Sequence, residues 1–187
     1  MHQDNWSLKA KKMGYRSRAV FKLEEILLKL HKNQINKVLD LGSAPGGWSQ
    51  FIINKYPHSK IIAVDILHME PIDGVQFIKK NIEDIDSIQL INSQKGKFDL
   101  VISDIAPNLT GISAVDNENI YELNKITINL ANIYLSEVNS AVVIKTFQNN
   151  NFKSLKKEME LFFEIVQTYK PAASKNKSAE TYLYGAR

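Results

Sequence analysis

The sequence contains no cysteine and only four histidines among its 187 residues. The absence of cysteine excludes disulfide bonds, thiolate metal sites and a cysteine nucleophile. The histidines are His2, His31, His58 and His68, and they lack the spacing of metal ligands. We therefore expect neither a metal site nor metal-dependent chemistry.

Long apolar runs are also missing. No stretch of about 18 apolar residues occurs, which argues against a membrane-spanning helix. The N-terminal stretch MHQDNWSLKAKK lacks the apolar core of a secretory signal. The apolar fraction of 44% and the charged fraction of 24% are those of a globular protein. We expect a single domain over residues 1–187, without membrane contact and monomeric. We expect it in the cytoplasm, or in an organelle such as the mitochondrion if the source is eukaryotic.

Positive charge is concentrated near the N-terminus. The net charge is +4, and the stretch KAKKMGYRSRAVFK from Lys9 to Lys22 carries six basic residues with no acidic residue before Glu24. Such a stretch is common at the solvated end of a basic helix. The glycine and tyrosine at 14 and 15 favour a segment that faces nucleic acid. We assign this role to residues 1–16 and to the face that carries Lys9, Lys11, Lys12, Arg16 and Arg18.

Short apolar strands alternate with amphipathic helices along most of the chain. Strands are predicted at 38–42, 60–66, 75–81, 98–104 and 141–147, and helices at 17–30, 46–56, 85–94, 116–138 and 152–163. The C-terminal runs 163–171 and 180–186 are β-rich, and ASKNKS between them leaves no room for a helix. They therefore form an antiparallel hairpin. The predicted fold is α/β, with a Rossmann-like, doubly wound, mostly parallel seven-stranded sheet that ends in this hairpin.

The turn GSAPGG follows the first strand, where such sheets bind ligands. Its small residues, Gly42, Ala44, Gly46 and Gly47, would let backbone approach a ligand closely. Tight packing between the strand and the next helix explains them equally well. Asp65 strengthens the ligand interpretation, because it ends the second strand 23 residues later, where a carboxylate reaches the ribose hydroxyls of a nucleoside.

Both NAD and S-adenosylmethionine carry such a ribose. The turn fits GxAxxG only loosely, and Pro45 fixes it in a way that a pyrophosphate cradle does not require. S-Adenosylmethionine has no phosphate, which makes it the better candidate. Trp48, after the turn, is predicted either in the core or beside the ligand.

Two further polar residues lie at strand ends. Asp104 ends the fourth strand, and Lys145 lies inside the apolar strand VVIKTF. A lysine in such a strand is seldom buried without a partner. It could reach solvent at the sheet edge, but on a strand next to Asp104 it could also pair with that carboxylate.

Six stretches taken together carry a family resemblance. They are YRSRAVFKLEEI, LDLGSAPGGWSQF, AVDILHMEPIDGVQFI, SDIAPNLTG, VVIKTFQ and SAETYLYGA. In this order, from about Lys9 to Gly185, they resemble the motifs of the FtsJ/RrmJ family of S-adenosylmethionine-dependent methyltransferases. That family methylates the ribose 2′-hydroxyl of RNA, and it has the class I methyltransferase fold.

The resemblance implies the following site residues. The family's catalytic K-D-K-E tetrad falls on Lys22, Asp104, Lys145 and Glu180. Cofactor contacts fall on Gly46, Gly47, Trp48, Asp65, Asn81 and Asp104. At Asn81 the family commonly has an acidic residue that holds the adenine amino group. An amide oxygen can accept the same hydrogen bond without the charge.

The resemblance implies that Lys145 acts directly on the 2′-hydroxyl, in one of two roles. As a general base it needs a pKa below the usual value near 10.4. Burial and Lys22 would lower this pKa, whereas Asp104 and Glu180 would raise it. As a fixed ammonium, Lys145 would instead stabilise negative charge on the attacking oxygen. Both roles stay open at this point.

Close relatives modify a uridine of large-subunit ribosomal RNA, so ribosomal RNA or the large ribosomal subunit is the expected partner. The tRNA anticodon loop is the alternative substrate. A nicotinamide-dependent oxidoreductase would call for a pyrophosphate-type glycine turn and a catalytic tyrosine or histidine, and neither stands out. An RNA-binding module without turnover would be expected to lack part of the tetrad, which is intact here.

Overall fold

A computed structural model describes residues 5–30, 34–108, 110–174 and 178–187. The helices are α1 (Asn5–Lys12), α2 (Val20–Lys29), α3 (Gly47–Lys55), α4 (Gln89–Asn92), α5 (Ser113–Tyr134) and α6 (Phe152–Glu160), with a 3₁₀ helix at Ile82–Ser87. The strands are β1 (Lys37–Leu41), β2 (Lys60–Asp65), β3 (Val75–Lys79), β4 (Leu100–Ser103), β5 (Ala141–Phe147), β6 (Ile165–Tyr169) and β7 (Glu180–Ala186). None of these helices is long and apolar enough to cross a membrane.

The strands form one seven-stranded sheet in the order β3-β2-β1-β4-β5-β7-β6. The first five are mutually parallel, and β7 runs antiparallel to both β5 and β6. The predicted α/β sheet and its C-terminal hairpin are therefore confirmed. The pattern did not predict that β7, the second hairpin strand, would insert next to β5 and leave β6 at the edge.

Side chains alternate between two cores, one on each face of the sheet. Along β5, Ala141 and Val143 belong to the core with α2 and α3, whereas Val142 and Ile144 belong to the core with α5 and α6. This alternation is the ordinary period of a strand that is buried on both faces. Lys145 continues the first set, so it lies on the α2 side of the sheet.

Helix α5 differs from its predicted bounds, 116–138, and it ends early because the chain after it pairs with Phe98, just before β4. The helix begins at Ser113 and ends at Tyr134. Leu135 is already extended and forms a bridge with Phe98, and the N–H of Ser136 donates to the Phe98 carbonyl. Apolar residues after Tyr134 therefore belong to the connection between α5 and β5.

Three other predicted helices are also altered. The predicted helix 17–30 begins only at Val20, because the Ser17 hydroxyl accepts a hydrogen bond from the N–H of Ala19 in a preceding turn. The region predicted as a helix at 85–94 is divided between the 3₁₀ helix and α4, and α6 ends at Glu160. The N-terminal segment contains α1, which the apolar pattern did not predict.

Candidate active site

Asp104 and Lys145 are brought together by the pairing of β4 with β5. Ser103 lies opposite Ile144 in that parallel pair, so the next residue on each strand is also adjacent. The Nζ atom of Lys145 lies 3.3 Å from Oδ1 of Asp104 and also donates to the Asp104 backbone carbonyl. The lysine side chain is only 11% exposed. The predicted pairing of a strand lysine with this carboxylate is thus present.

Lys22 and Glu180 complete the predicted tetrad from two other elements. Glu180 begins β7, and Lys22 lies on α2, which covers the same face of the sheet. The Nζ atom of Lys22 donates to Oε1 of Glu180 over 2.6 Å, and the Ser174 hydroxyl donates to the same oxygen over 3.0 Å. Burial would raise the pKa of Glu180, but the hydrogen bond and charge of Lys22 hold it below its ordinary value.

Tyr182 is a site residue that sequence reasoning missed. It lies directly opposite Lys145 in the β5–β7 pair, and its hydroxyl donates to Oδ1 of Asp104 over 3.0 Å. Burial, together with the charges of Asp104 and Glu180, raises its pKa well above the ordinary value, so the hydroxyl keeps its proton. The strand alternation in ETYLYGA, which puts positions 180 and 182 on one face, could have revealed it.

Asp40 is a buried carboxylate beside the site that the sequence did not single out. It lies on β1, is 1% exposed and accepts a hydrogen bond of 2.6 Å from the Ser49 hydroxyl. Burial raises its pKa to about 7, against the lowering effect of Ser49 and with smaller contributions from the charges of Asp104 and Asp65. It borders a cavity of about 20 Å³ that Asp104 also lines.

A cleft of about 530 Å³ opens at the carboxyl ends of the strands. Its lining includes Gly42, Ala44, Asp65, Asn81 and Asp104. The carboxylate of Asp65 accepts hydrogen bonds of 2.8 Å from the N–H groups of Ala44 and Leu67. Asp65 therefore lies where the sequence predicted, at the junction of the glycine turn and the loop after β2.

The glycines of the turn are required by packing within the protein. Gly46 has φ +102°, and a Cβ atom there would lie 2.7 Å from Cδ1 of Ile72 and 2.9 Å from Sδ of Met69. A Cβ at Gly47 would lie 2.9 Å from Cβ of Ser17. Neither glycine lines the cleft, and Gly47 borders the small cavity beside it. Packing explains why both positions are glycine, and their contact with a cofactor stays a prediction.

Trp48 and Asn81 each have a partner in the protein. Trp48 is 3% exposed and packs in the core, and its indole N–H donates to the Ala19 carbonyl over 2.8 Å. It borders the small cavity beside the cleft. The side-chain oxygen of Asn81, in the cleft lining, accepts a hydrogen bond from the N–H of Glu83. That oxygen has a second lone pair for another donor.

The cleft suits S-adenosylmethionine in size and chemistry. Its volume is in the range of small-molecule sites, and it offers backbone near Gly42 and Ala44 together with carboxylate and amide oxygens. A larger hollow of about 890 Å³, lined by Lys37, Lys60 and Phe98 among others, lies at the opposite end of the strands and contains none of the predicted site residues. Among the described residues no group of three His, Asp or Glu could hold a metal ion. His2 and His31 lie outside them.

The comparison with protein families decides between the methyltransferase and the alternatives. A family model described as FtsJ-like methyltransferase matches residues 15–187. The chain belongs to the FtsJ-like methyltransferase family. The predicted family and enzyme class are therefore confirmed, and the oxidoreductase alternative is wrong.

Curated relatives of this FtsJ-like chain cover nearly all of it. "Ribosomal RNA large subunit methyltransferase E" of Wigglesworthia glossinidia brevipalpis is 38% identical over an alignment of 187 positions, which covers 97% of this chain and 90% of the relative. The protein of the same name from Ehrlichia chaffeensis is 40% identical over an alignment of 184 positions, which covers 94% of this chain and 84% of the relative.

Solved structures agree with the fold. The crystal structure of a candidate ribosomal RNA methyltransferase from Plasmodium falciparum matches with a TM-score of 0.78 and 28% identity, over 92% of this chain and 98% of that one. Spermidine synthase from Thermotoga maritima matches with a TM-score of 0.62 at 15% identity, over 88% of this chain and 59% of that one. The latter likeness concerns the fold alone.

Proposed function

We propose that this FtsJ-like methyltransferase transfers a methyl group from S-adenosylmethionine to a ribose 2′-hydroxyl of RNA. The observation that carries the proposal is the pairing of Lys145 with Asp104 beside the pair formed by Lys22 and Glu180, at the edge of the cleft. Two lysines and two carboxylates on one face of the sheet can bind a sugar hydroxyl and control its proton.

The cleft residues would hold S-adenosylmethionine in distinct ways. Asp65 would accept hydrogen bonds from the ribose hydroxyls, and Asn81 would accept one from the adenine amino group. Backbone at Gly42 and Ala44 would contact the methionine portion, with Asp104 at the junction with the tetrad. Gly46, Gly47 and Trp48 follow closely in the chain and would support the Gly42–Ala44 backbone in its position beside the cofactor. When bound, S-adenosylmethionine supplies an electrophilic methyl group on a sulfonium.

The tetrad residues would orient and activate the 2′-hydroxyl. Lys145 is the group that would meet this oxygen, either taking its proton or stabilising its negative charge as a fixed cation. Asp104 holds Lys145 in position, and Tyr182 holds Asp104. Lys22, bonded to Glu180, adds a second positive charge on the same face.

Lys145→Arg separates the two roles of Lys145. Arginine keeps the positive charge but does not release a proton, so it cannot act as a base. If Lys145 acts as a fixed cation, Lys145→Arg retains measurable methyl transfer where Lys145→Ala does not. If Lys145 acts as a base, both variants lose activity alike.

We propose large-subunit ribosomal RNA, at a uridine, as the substrate, because the relatives that match nearly the whole chain carry that RNA in their names. The exposed lysines of α1, Lys9, Lys11 and Lys12, would contact its phosphates without reading its sequence. The enzyme would act as a monomer where its substrate lies, in the cytoplasm or in an organelle such as the mitochondrion.

Transfer of labelled methyl groups to unmodified RNA tests this proposal. Large-subunit ribosomal RNA, assembled large subunits and total tRNA are incubated side by side with the enzyme and labelled S-adenosylmethionine. We expect label in large-subunit RNA, free or assembled, and none in tRNA. Label in tRNA alone would favour the anticodon-loop alternative. Cofactor binding without labelling of any RNA would favour a binding module.

A further inference from the structure

Arg16 belongs to the basic segment for which we predict phosphate contacts, but its guanidinium donates hydrogen bonds to backbone carbonyls of the protein. One terminal nitrogen of its guanidinium donates to the carbonyls of Glu70 over 2.6 Å and Pro45 over 3.3 Å. The other donates to the Pro71 carbonyl over 2.7 Å. Three backbone carbonyls on two separate loops thus share one cation, so Arg16 has a role within the protein besides the predicted phosphate contact.

The two loops that Arg16 joins each contribute other residues to the lining of the cleft, Ala44 from the turn, and Asp65 and Leu67 from the end of β2 and the loop after it. Pro45 lies in the GSAPGG turn, and Glu70 and Pro71 belong to the loop that follows Asp65 at the end of β2. On the cleft side, the same two loops are joined by the hydrogen bond from Ala44 to Asp65. Arg16 links the same two loops away from the cleft, because its planar guanidinium can donate to several acceptors at once.

The backbone around Arg16 is tied to the helix that follows the turn. Its N–H donates to the side-chain oxygen of Gln50 on α3 over 3.1 Å, and the Gln50 amide donates to the Gly14 carbonyl over 2.8 Å. Arg16 also lies between α1, which carries the exposed lysines, and α2, which carries Lys22. Hydrogen bonds therefore join the segment that would receive RNA to the loops that border the cofactor cleft.

We propose that Arg16 is a positioning residue that fixes the two loops that border the cofactor cleft and makes RNA binding and cofactor binding cooperative. This inference rests on the proposed function. RNA bound to α1 would immobilise the segment, and through Arg16 it would immobilise the loops that hold the cofactor. Because such coupling is reciprocal, each ligand strengthens the other by the same factor.

Calorimetric titration with S-adenosylhomocysteine, with and without saturating unmodified large-subunit RNA, tests the proposal without turnover. The variants are Arg16→Ala, Arg16→Lys and, as a matched control, Lys97→Ala. Lys97 is an exposed cation that also donates to a backbone carbonyl, that of Ser93, but it precedes β4 at the far end of the sheet. Far-UV circular dichroism confirms that each variant is folded.

For the wild type we expect RNA to tighten S-adenosylhomocysteine binding by about fivefold, at the low end of allosteric coupling. Arg16→Ala should weaken binding by about tenfold, as for the loss of one charge-assisted hydrogen bond, and abolish the effect of RNA. Arg16→Lys should lie between them, and Lys97→Ala should match the wild type.

Unchanged affinity in Arg16→Ala, or an undiminished effect of RNA in that variant, would overturn the inference while leaving the proposed function intact. A wild-type protein that binds no S-adenosylhomocysteine would overturn the proposed function itself, and this inference with it.

Discussion

Lys22 and Glu180 are separated by 158 positions in the chain, yet their charged atoms lie 2.6 Å apart beneath the rim of the active site. The lysine side chain is 7% exposed and the carboxylate side chain 16% exposed. Removing one member of such a pair leaves the other charge poorly solvated. This ion pair joins the first half of the chain to the last strand and fixes one side of the tetrad.

Lys22→Met should therefore be more harmful than Glu180→Gln. Glutamine can still accept hydrogen bonds from Lys22 and Ser174, whereas methionine leaves the carboxylate without its cation. We expect a loss of about 2–3 kcal/mol in unfolding free energy for Lys22→Met, less than for a fully buried pair because solvent reaches Glu180. Urea unfolding at pH 7 measures both. The double variant should recover part of the loss, and strict additivity would contradict the pairing.

Tyr182→Phe removes only the hydroxyl that donates to Asp104, and it leaves the ring packed against Trp48. We expect kcat to fall about tenfold, equivalent to one ordinary hydrogen bond, with KM for the cofactor nearly unchanged. The matched control is Tyr184→Phe, on the same strand and face but next to Tyr169. An equal loss in both variants would mean that the hydroxyl of Tyr182 has no special role.

Gly46→Ala should destabilise the protein more than Gly96→Ala. Both glycines have positive φ, +102° and +70°, so both substitutions incur backbone strain, on the order of 1–2 kcal/mol. Only at Gly46 would the new methyl overlap other side chains, those of Ile72 and Met69. The overlapped atoms lie toward the ends of flexible side chains that can shift, so we expect an additional loss of about 1 kcal/mol, the lower end for overpacking. Urea unfolding compares them, and equal losses would refute the packing explanation.

Asp40→Asn should change how stability depends on pH. The pKa of Asp40 is raised from 3.8 to about 7 in the folded protein. Between these values the folded state binds more protons than the unfolded state, so stability falls as pH rises. The wild type should lose up to about 1.4 kcal/mol per pH unit relative to Asp40→Asn across this window. Urea unfolding from pH 4 to 8 measures the difference, and parallel profiles would contradict it.

Much of the fold could be predicted from the sequence because strands buried on both faces leave short, mostly apolar runs, as in VLDLG and AVVIKTF. Lys145 stood out because it interrupts such a run. Helix ends were less certain, since Leu135 and Val138 continue the apolar pattern after the chain has left α5.

Lys22 and Glu180 could not be found by pattern alone. Lys22 lies in an ordinary amphipathic helix and Glu180 at the start of a strand, and both entered through a family resemblance. Their partnership depends on β7 inserting beside β5 and on α2 covering that face, which are tertiary facts. The hydrogen bonds from the Arg16 guanidinium to backbone carbonyls also depend on a loop far along the chain. The sequence around Arg16 therefore predicted only a phosphate contact.

The most direct test of the proposed chemistry identifies the methylated atom. Large-subunit RNA treated with wild-type or Lys145→Ala enzyme is digested to nucleosides, and these are analysed by mass spectrometry. We predict a 2′-O-methyl nucleoside with the wild type and a decrease of about 10²-fold or more with the variant, at nearly unchanged affinity for S-adenosylhomocysteine. A methyl group on a base, or full activity in Lys145→Ala, would contradict the assignment of this site.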